Sequence, residues 1–357
     1  MKKKNSLSER TKSQYQAESN LIVVDPPFPK NIMIELSNAC NHKCVFCTNP
    51  YMTRTIKRLD NEKLIKIIQD SFDCGARELG FYTTGEPFIY KNIDKIIKKS
   101  KEIGFEYTYI STNGALATPS KAKDVIEAGI DSIKFSINAF DKEDYNVVHG
   151  KDEWDLVLKN LKFISDYRKQ HKKKFRLYVT SVITNITENK IRDFKKILNG
   201  MVDEIQLSAV HAQGGYMSKA YDLLKVSNTV ASSLDVNFNQ TKESDTDICT
   251  IPFNRLHVTC EGYLTACCVD YQNYLTVADL NVMSIGDAWR SEDFRKLREK
   301  HLTKKLHNTL CDNCWNNKCE KVAPLNNKLS TEIDEIQHSR DIQKKVLKKL
   351  HTTNLYR

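Results

Sequence analysis

No run of apolar residues in this sequence approaches the roughly 18–20 needed to span a bilayer. Residues 1–20 are polar and basic and lack the apolar stretch of a secretory signal. Together these absences predict a cytoplasmic protein with no membrane partner, in a compartment where thiols stay reduced. No internal repeat is visible. The lysine-rich stretches at 2–4, 172–174 and 344–349 contain no aromatic-interleaved basic motif of an RNA-binding module. The net charge of +10 therefore reads as solvated faces and ends rather than a nucleic-acid surface, although it is compatible with an anionic substrate.

What is present is ordinary globular usage: 357 residues, 40% hydrophobic and 28% charged. That length accommodates one large domain of about 200–250 residues and a smaller one, with a core that needs no disulfides. Eleven cysteines in a reduced compartment call for a metal or redox explanation.

Short β-branched, apolar runs lie at 32–36, 78–82, 107–111, 132–137, 177–183 and 204–207. Helical apolar spacing separates them at 62–72, 93–103, 120–128, 154–167 and 191–198. Strands alternating with single helices predict an α/β fold with a parallel sheet, curled into a barrel or left open and doubly wound. In either form the reactive groups belong at the carboxyl ends of the strands. Residues 1–30 read as an N-terminal tail, its first 20 residues disordered or loosely attached. Residues 31–208 form the α/β unit, and 209–247 a linker with a short helix at 220–224. Residues 248–322 form a cysteine-rich unit, and 323–357 a charged tail, helical over 331–351.

Just after the first predicted strand stand Cys40, Cys44 and Cys47, spaced CxxxCxxC. Three thiolates this close can share one metal centre. Tetrahedral zinc needs a fourth ligand, for which His42 is the nearest candidate. A [4Fe–4S] cube normally takes four cysteines, so three leave one iron open to bind and activate a small molecule.

With Phe46 before its last cysteine, the motif resembles the signature of the radical S-adenosylmethionine (SAM) superfamily. Thr84-Gly85-Glu86-Pro87, at the end of the second strand, resembles that family's GGEP motif. Ser111-Thr112-Asn113-Gly114 closes the third strand. Ser136-Ile137-Asn138 closes the fourth, in the place of the family's Ser-x-Asp ribose contact, with Asn for Asp. The resemblance covers about residues 31–208. It implies a partial (β/α)6 TIM-type barrel whose [4Fe–4S] cluster is held by Cys40, Cys44 and Cys47. It further implies SAM contacts from Phe46, Gly85, Glu86, Asn113 and Ser136, with the Glu86 carboxylate at SAM's ammonium. An electron donor such as flavodoxin or ferredoxin is also implied.

The second cysteine set runs Cys249-x12-Gly262-x4-Cys267, then Cys311-x2-Cys314-x4-Cys319. Glu261-Gly262 suits a hairpin turn that brings two thiolates to one centre, and CxxC presents two more. Four thiolates from two loops close either zinc or [4Fe–4S] coordination. The pattern resembles the SPASM or twitch extension of radical SAM enzymes, and 285–298 reads like that domain's short helix. A full SPASM domain has seven cysteines for two clusters, and the absence of any cysteine after Cys319 argues for one auxiliary [4Fe–4S] cluster. Cys249, Cys267, Cys311 and Cys314 are its expected ligands, with Cys319 in reserve. Cys74, Cys260 and Cys268 are left over as buried thiols or hydrogen-atom donors.

The resemblance implies reductive cleavage of SAM and hydrogen-atom abstraction from a substrate C–H bond. Peptide-modifying relatives often carry a leader-recognition domain before the barrel, for which about 30 residues are too few. The expected substrate is therefore a small molecule such as a sugar or aminocyclitol, oxidised by the enzyme. A peptide-modifying maturase, an epimerase and a non-catalytic metal scaffold are the alternatives.

Overall fold

The computed structural model describes residues 6–15, 17–210, 213–214, 224–227, 230, 248–316, 318–330, 341, 344–345 and 348. Apart from Leu224, the helix expected at 220–224 lies outside these residues, as does most of that expected at 331–351.

Strands β1 (Asn31–Ile34), β2 (Glu78–Gly80), β3 (Tyr107–Thr112), β4 (Ser132–Ser136), β5 (Arg176–Ile183) and β6 (Glu204–Ala209) pair in parallel, each with its sequence neighbour. The crossovers contain α2 (Asn61–Asp73), α3 (Ile93–Ile103), α4 (Pro119–Glu127), α5 (Lys142–His149) with α6 (Trp154–Gln170), and α7 (Ile191–Ile197). This is the six-unit partial barrel expected, formed because each strand has two different faces. Ile32, Leu79, Ile110, Ile133, Phe135, Leu177 and Val179 point outward into the helix layer, wholly buried. Leu64, Ile68, Ile97, Val125, Val157, Leu161 and Ile164 meet them from the helices. Burying each such aliphatic side chain contributes about 1.5–3 kcal/mol, which outweighs the weak helix propensity of an Ile-rich segment such as α3.

The inward face is polar. Asn31 stands at the floor between Glu78 and Arg255. Its amide donates to the Glu78 carboxylate at 3.1 Å and to the Tyr109 hydroxyl at 2.9 Å, and its Oδ1 accepts from Arg255 Nε at 2.9 Å. Residues Leu7–Tyr15, expected as part of a loose tail, instead form helix α1 under this floor. The amides of Leu7 and Ser8 donate to the Glu204 carboxylate at 2.7 and 3.1 Å, and Arg10 lies 3.4 Å from the Tyr107 ring centroid. A carboxylate at an exposed helix N-terminus satisfies amides that have no partner within the helix. Residues at the amino ends of β2, β3 and β6 thus hold α1 in place.

Strands β7 (Arg255–Val258), β8 (Tyr263–Thr265) and β9 (Thr276–Asp279) extend the same sheet on the other side, in the order β6-β5-β4-β3-β2-β1-β7-β8-β9. β7 runs parallel to β1, while β8 and β9 are antiparallel additions. The expected turn forms: Gly262 N donates to Thr259 O at 2.9 Å, and Gly262 sits at φ +83°, where a side chain is strained. The single helix expected at 285–298 is two, Ile285–Trp289 and Glu292–Leu302. Ser291 breaks it by capping the second, accepting from Phe294 N at 3.4 Å. Among the described residues no helix is long and apolar enough to cross a membrane.

Candidate active site

After β1 the chain loops across the carboxyl end of the barrel, carrying Cys40, Cys44 and Cys47 as half-buried thiols outside any disulfide. The loop is pinned from two directions. The amides of Lys43 and Val45 donate to the carbonyls of His149 and Val148 at 3.0 and 2.9 Å. Asn38 accepts from Lys57 N at 2.8 Å and donates to Thr55 O at 2.9 Å, closing the loop on itself. Phe46 is nearly buried, within the apolar core. Burial pushes the Cys40 thiol up to about 12 and raises Cys47 as well, so metal binding has to displace those protons.

The Thr84–Pro87 turn presses onto this loop. A Cβ on Gly85 would lie 2.0 Å from the Ser37 carbonyl oxygen, so the close approach requires glycine. Glu86 N donates to Ala39 O at 2.8 Å. The buried Glu86 carboxylate accepts from Thr112 Oγ1 at 2.7 Å, Asn113 N at 2.8 Å and Phe88 N at 3.1 Å. Burial outweighs these donors and pushes its pKa up to about 6. Asn113 Nδ2 donates to Asn41 Oδ1 at 2.8 Å and lies 3.9 Å from Cys40 Sγ. Cys40, Gly85, Glu86 and Asn113 therefore form one connected surface. Ser136, with its Oγ 3.3 Å from Ser111 Oγ, faces the lumen beside them. Asn138 is committed to structure: its Oδ1 accepts from Val182 N at 2.8 Å, and its own amide donates to His149 Nε2 at 3.0 Å.

That last bond assigns the proton of a neutral His149 to Nδ1, which lies 3.5 Å from Cys44 Sγ and 3.3 Å from His42 Nδ1. His42 Nε2 in turn lies 2.6 Å from the Glu153 carboxylate. Burial lowers the His42 pKa, against the pull of Glu153.

The donor atoms of His42, Cys44 and His149 come within 4.8 Å of one another, whereas neither the Cys40–Cys44–Cys47 triplet nor the second cysteine quartet closes so tightly. A single zinc ion with His42 as fourth ligand to the triplet does not fit this arrangement. A polynuclear cluster, whose irons hold the thiolates apart, does fit. Asn41 Nδ2, within the triplet loop, is a buried polar atom without a partner, as a site that accommodates a polar ligand would leave it.

In the second unit the thiols of Cys249, Cys267, Cys311 and Cys314 influence one another. Burial and then Cys314 and Cys268 raise Cys249 to about 12, and burial and then Cys249 and Cys314 raise Cys311. Cys267 is raised by its hydrogen bond to Cys268, then by burial and by Cys249. Cys260 is buried, and Cys74 is exposed where α2 ends.

Sequence reasoning missed two sets of residues. Arg54 bridges Glu35 and Glu261 at 2.5 and 2.6 Å, tying β1, the cysteine loop and the β7–β8 turn together. No local pattern announces that contact. Lys134 faces the lumen from β4, a position readable from the alternation Ser132-Ile133-Lys134-Phe135-Ser136 once β4 is known to be two-faced.

The radical SAM superfamily description matches residues 34–199, and the SPASM iron–sulfur cluster-binding domain description matches 249–315. An uncharacterized protein of Methanocaldococcus jannaschii is 28% identical over 181 residues, 49% of this chain. That match spans only 55% of the relative's length. The structure of Streptococcus suis SuiB bound to precursor peptide SuiA is similar, with a TM-score of 0.59, 16% identity and coverage of 76% of this chain and 67% of that one. BtrN in complex with AdoMet and 2-DOIA gives a TM-score of 0.51 at 18% identity, covering 80% and 92%. At such identities the structural likenesses speak for the fold, and the two family matches carry the assignment. The chain belongs to the radical SAM superfamily, with a [4Fe–4S] cluster that works with SAM and an auxiliary iron–sulfur cluster in its SPASM domain.

Proposed function

We propose that this enzyme abstracts a hydrogen atom from a small polar molecule in the barrel lumen and oxidises it, as expected for a sugar or aminocyclitol. The observation that carries this reading is the inward-facing row above the floor. Tyr82, Ser111, Lys134, Ser136, Thr180 and Gln206 stay partly accessible although their strands are paired on both sides or lie within the barrel wall. Hydroxyl, amide and amine groups on one concave surface suit a polyol better than an apolar substrate. BtrN, of similar fold, was crystallised with the small molecule 2-DOIA, and SuiB with a peptide.

When bound, the clusters supply a SAM-derived 5′-deoxyadenosyl radical and an electron acceptor. In this reading Cys40, Cys44 and Cys47 hold the first cluster, and Cys249, Cys267, Cys311 and Cys314 the second. Glu86 receives SAM's ammonium, while Asn113 and Ser136 orient the rest of the molecule. An electron donor of flavodoxin or ferredoxin type docks at the outer surface. Anaerobic iron and sulfide analysis with a SAM-cleavage assay tests this. Wild type should hold about eight irons. Replacing Cys40, Cys44 and Cys47 together by Ala should leave about four and abolish 5′-deoxyadenosine formation. Continued reductive cleavage by that variant overturns the assignment.

A second reading, epimerisation, draws on Cys268, which lies in electrostatic reach of the lumen residues Tyr82 and Lys134. A thiol there would return a hydrogen atom to the substrate carbon. Reaction in deuterium oxide separates the two: epimerised product carries solvent deuterium at that carbon, whereas oxidised product has lost two hydrogens and gained none.

A further inference from the structure

Lys134 sits in the middle of β4, flanked by two wholly buried residues, Ile133 and Phe135, that point into the helix layer. Its register partners are Ser111 on β3 and Tyr178 on β5, so it projects into the lumen. Its Nζ lies 4.8 Å from the Tyr82 ring centroid, and among the described residues no carboxylate or hydrogen-bond acceptor reaches it. The lumen carboxylates are committed elsewhere. Glu35 is held by Arg54, and Glu86 by Thr112, Asn113 and Phe88. Glu78 accepts from Asn31 and lies 3.7 Å from Arg10, while Glu204 accepts from the amides of Leu7 and Ser8.

A second cation stands below. Arg255 is wholly buried, its Nε on Asn31 Oδ1 and its Nη2 3.4 Å from the Tyr109 hydroxyl. Burial first, then Arg255, depress the Lys134 pKa to about 8, with the Cys268 thiol opposing them. Lys134, with no acceptor in reach, puts a cation on a concave, weakly hydrated wall, and its field favours an anion that enters the lumen.

We infer that the barrel lumen binds a substrate bearing an oxyanion, a carboxylate or a phosphate, with Lys134 as its anchoring cation. This rests on the reading of the lumen as the substrate site. It is distinct from recognition of SAM's own carboxylate, because Lys134 lies one inward-facing position deeper than Ser136, about 6–7 Å along the strand. In outline the substrate is a polar small molecule with an acidic group at its buried end. Its reacting carbon then faces up toward Gly85, Glu86 and the cysteine loop.

The test uses the anaerobically reconstituted holoenzyme with saturating SAM, and inorganic phosphate and acetate as separate probes. Binding is read by calorimetry and by protection of Lys134 from amine acylation, followed by peptide mass spectrometry. At least one probe should bind and protect Lys134. Lys134→Met should weaken that binding tenfold or more, and Lys134→Arg should restore most of it. A preference for phosphate indicates a phosphate ester, and one for acetate a carboxylate. Absence of binding by both probes, or binding unchanged in Lys134→Met, overturns the inference. So does a parallel tenfold loss of SAM affinity in that variant, which would place Lys134 at SAM's carboxylate. Wild-type SAM cleavage without added substrate is measured separately. Its absence alongside Lys134-dependent anion binding would overturn the radical reaction while leaving the anion site standing.

Discussion

Replacing the buried Arg54 by methionine should destabilise the protein strongly. The guanidinium donates to Glu35 at 2.5 Å and to Glu261 at 2.6 and 2.8 Å, with all three side chains at most 8% exposed. Methionine keeps the length of the stem but strands two buried carboxylates. Breaking a buried pair by removing one partner costs about 3–5 kcal/mol, against a total stability of about 5–15 kcal/mol. The loss has a pH signature. Burial alone would raise the Glu35 carboxyl, but Arg54 overrides it and keeps the pKa below the ordinary carboxylate value. Without Arg54 only the Thr84 hydroxyl and the Cys260 amide oppose burial, the largest influence, so the folded pKa rises above the unfolded one, and stability present below the unfolded pKa is lost as pH rises through the folded pKa. The gap between wild type and Arg54→Met should therefore be widest near neutral pH and narrow in acid. Adding Glu35→Gln and Glu261→Gln should recover more than half of it. Urea unfolding of the reconstituted protein, followed by far-ultraviolet circular dichroism between pH 5 and pH 8, measures all of this. A gap below about 1 kcal/mol, or one independent of pH, would refute the reasoning.

Glu86→Gln keeps the shape of the site but removes the charge expected to meet SAM's ammonium. It should weaken SAM binding about tenfold to a hundredfold, read by calorimetry, with unchanged affinity showing that the motif serves only the Thr112 and Asn113 contacts. His301 is buried with neither ring nitrogen hydrogen-bonded, and burial lowers its pKa to about 4. Its neutral form contributes stability above the ordinary histidine pKa that is lost as pH falls through about 4, amounting to about 2–3 kcal/mol by pH 4.5. His301→Phe should flatten that part of the stability profile, and an unchanged acid slope would show that His301 is protonated without cost.

The six barrel strands and five of their helices were legible because each buries one face, and a buried face leaves its period in the sequence. Helix α5 was not: in Lys142–His149 the apolar residues Tyr145, Val147 and Val148 are too few to set a period, and its cap at Asp141 resembles an ordinary turn. Helix α1 was missed for the same reason, since it is held by the Glu204 carboxylate and the Tyr107 ring rather than by an apolar stripe. Cys40, Cys44 and Cys47, with Gly85 and Glu86, stood out because cluster chemistry and close backbone approach restrict residue type over a few positions. The commitment of Asn138 to Val182 and His149 was hidden, because both partners lie in other elements, 44 and 11 residues along the chain.

By itself, then, the sequence determined the βα alternation, the two cysteine sets and the family to which they belong, all of which depend on spacing within short segments. Only the tertiary structure decided that β7 pairs with β1 and makes the SPASM unit continuous with the barrel sheet, and that Arg54 closes the junction. It alone brought Lys134 and Arg255 into one lumen whose carboxylates are engaged elsewhere. Those outcomes depend on curvature and on charges separated by a hundred or more residues, and electrostatic pairing across such distances leaves no periodicity to read.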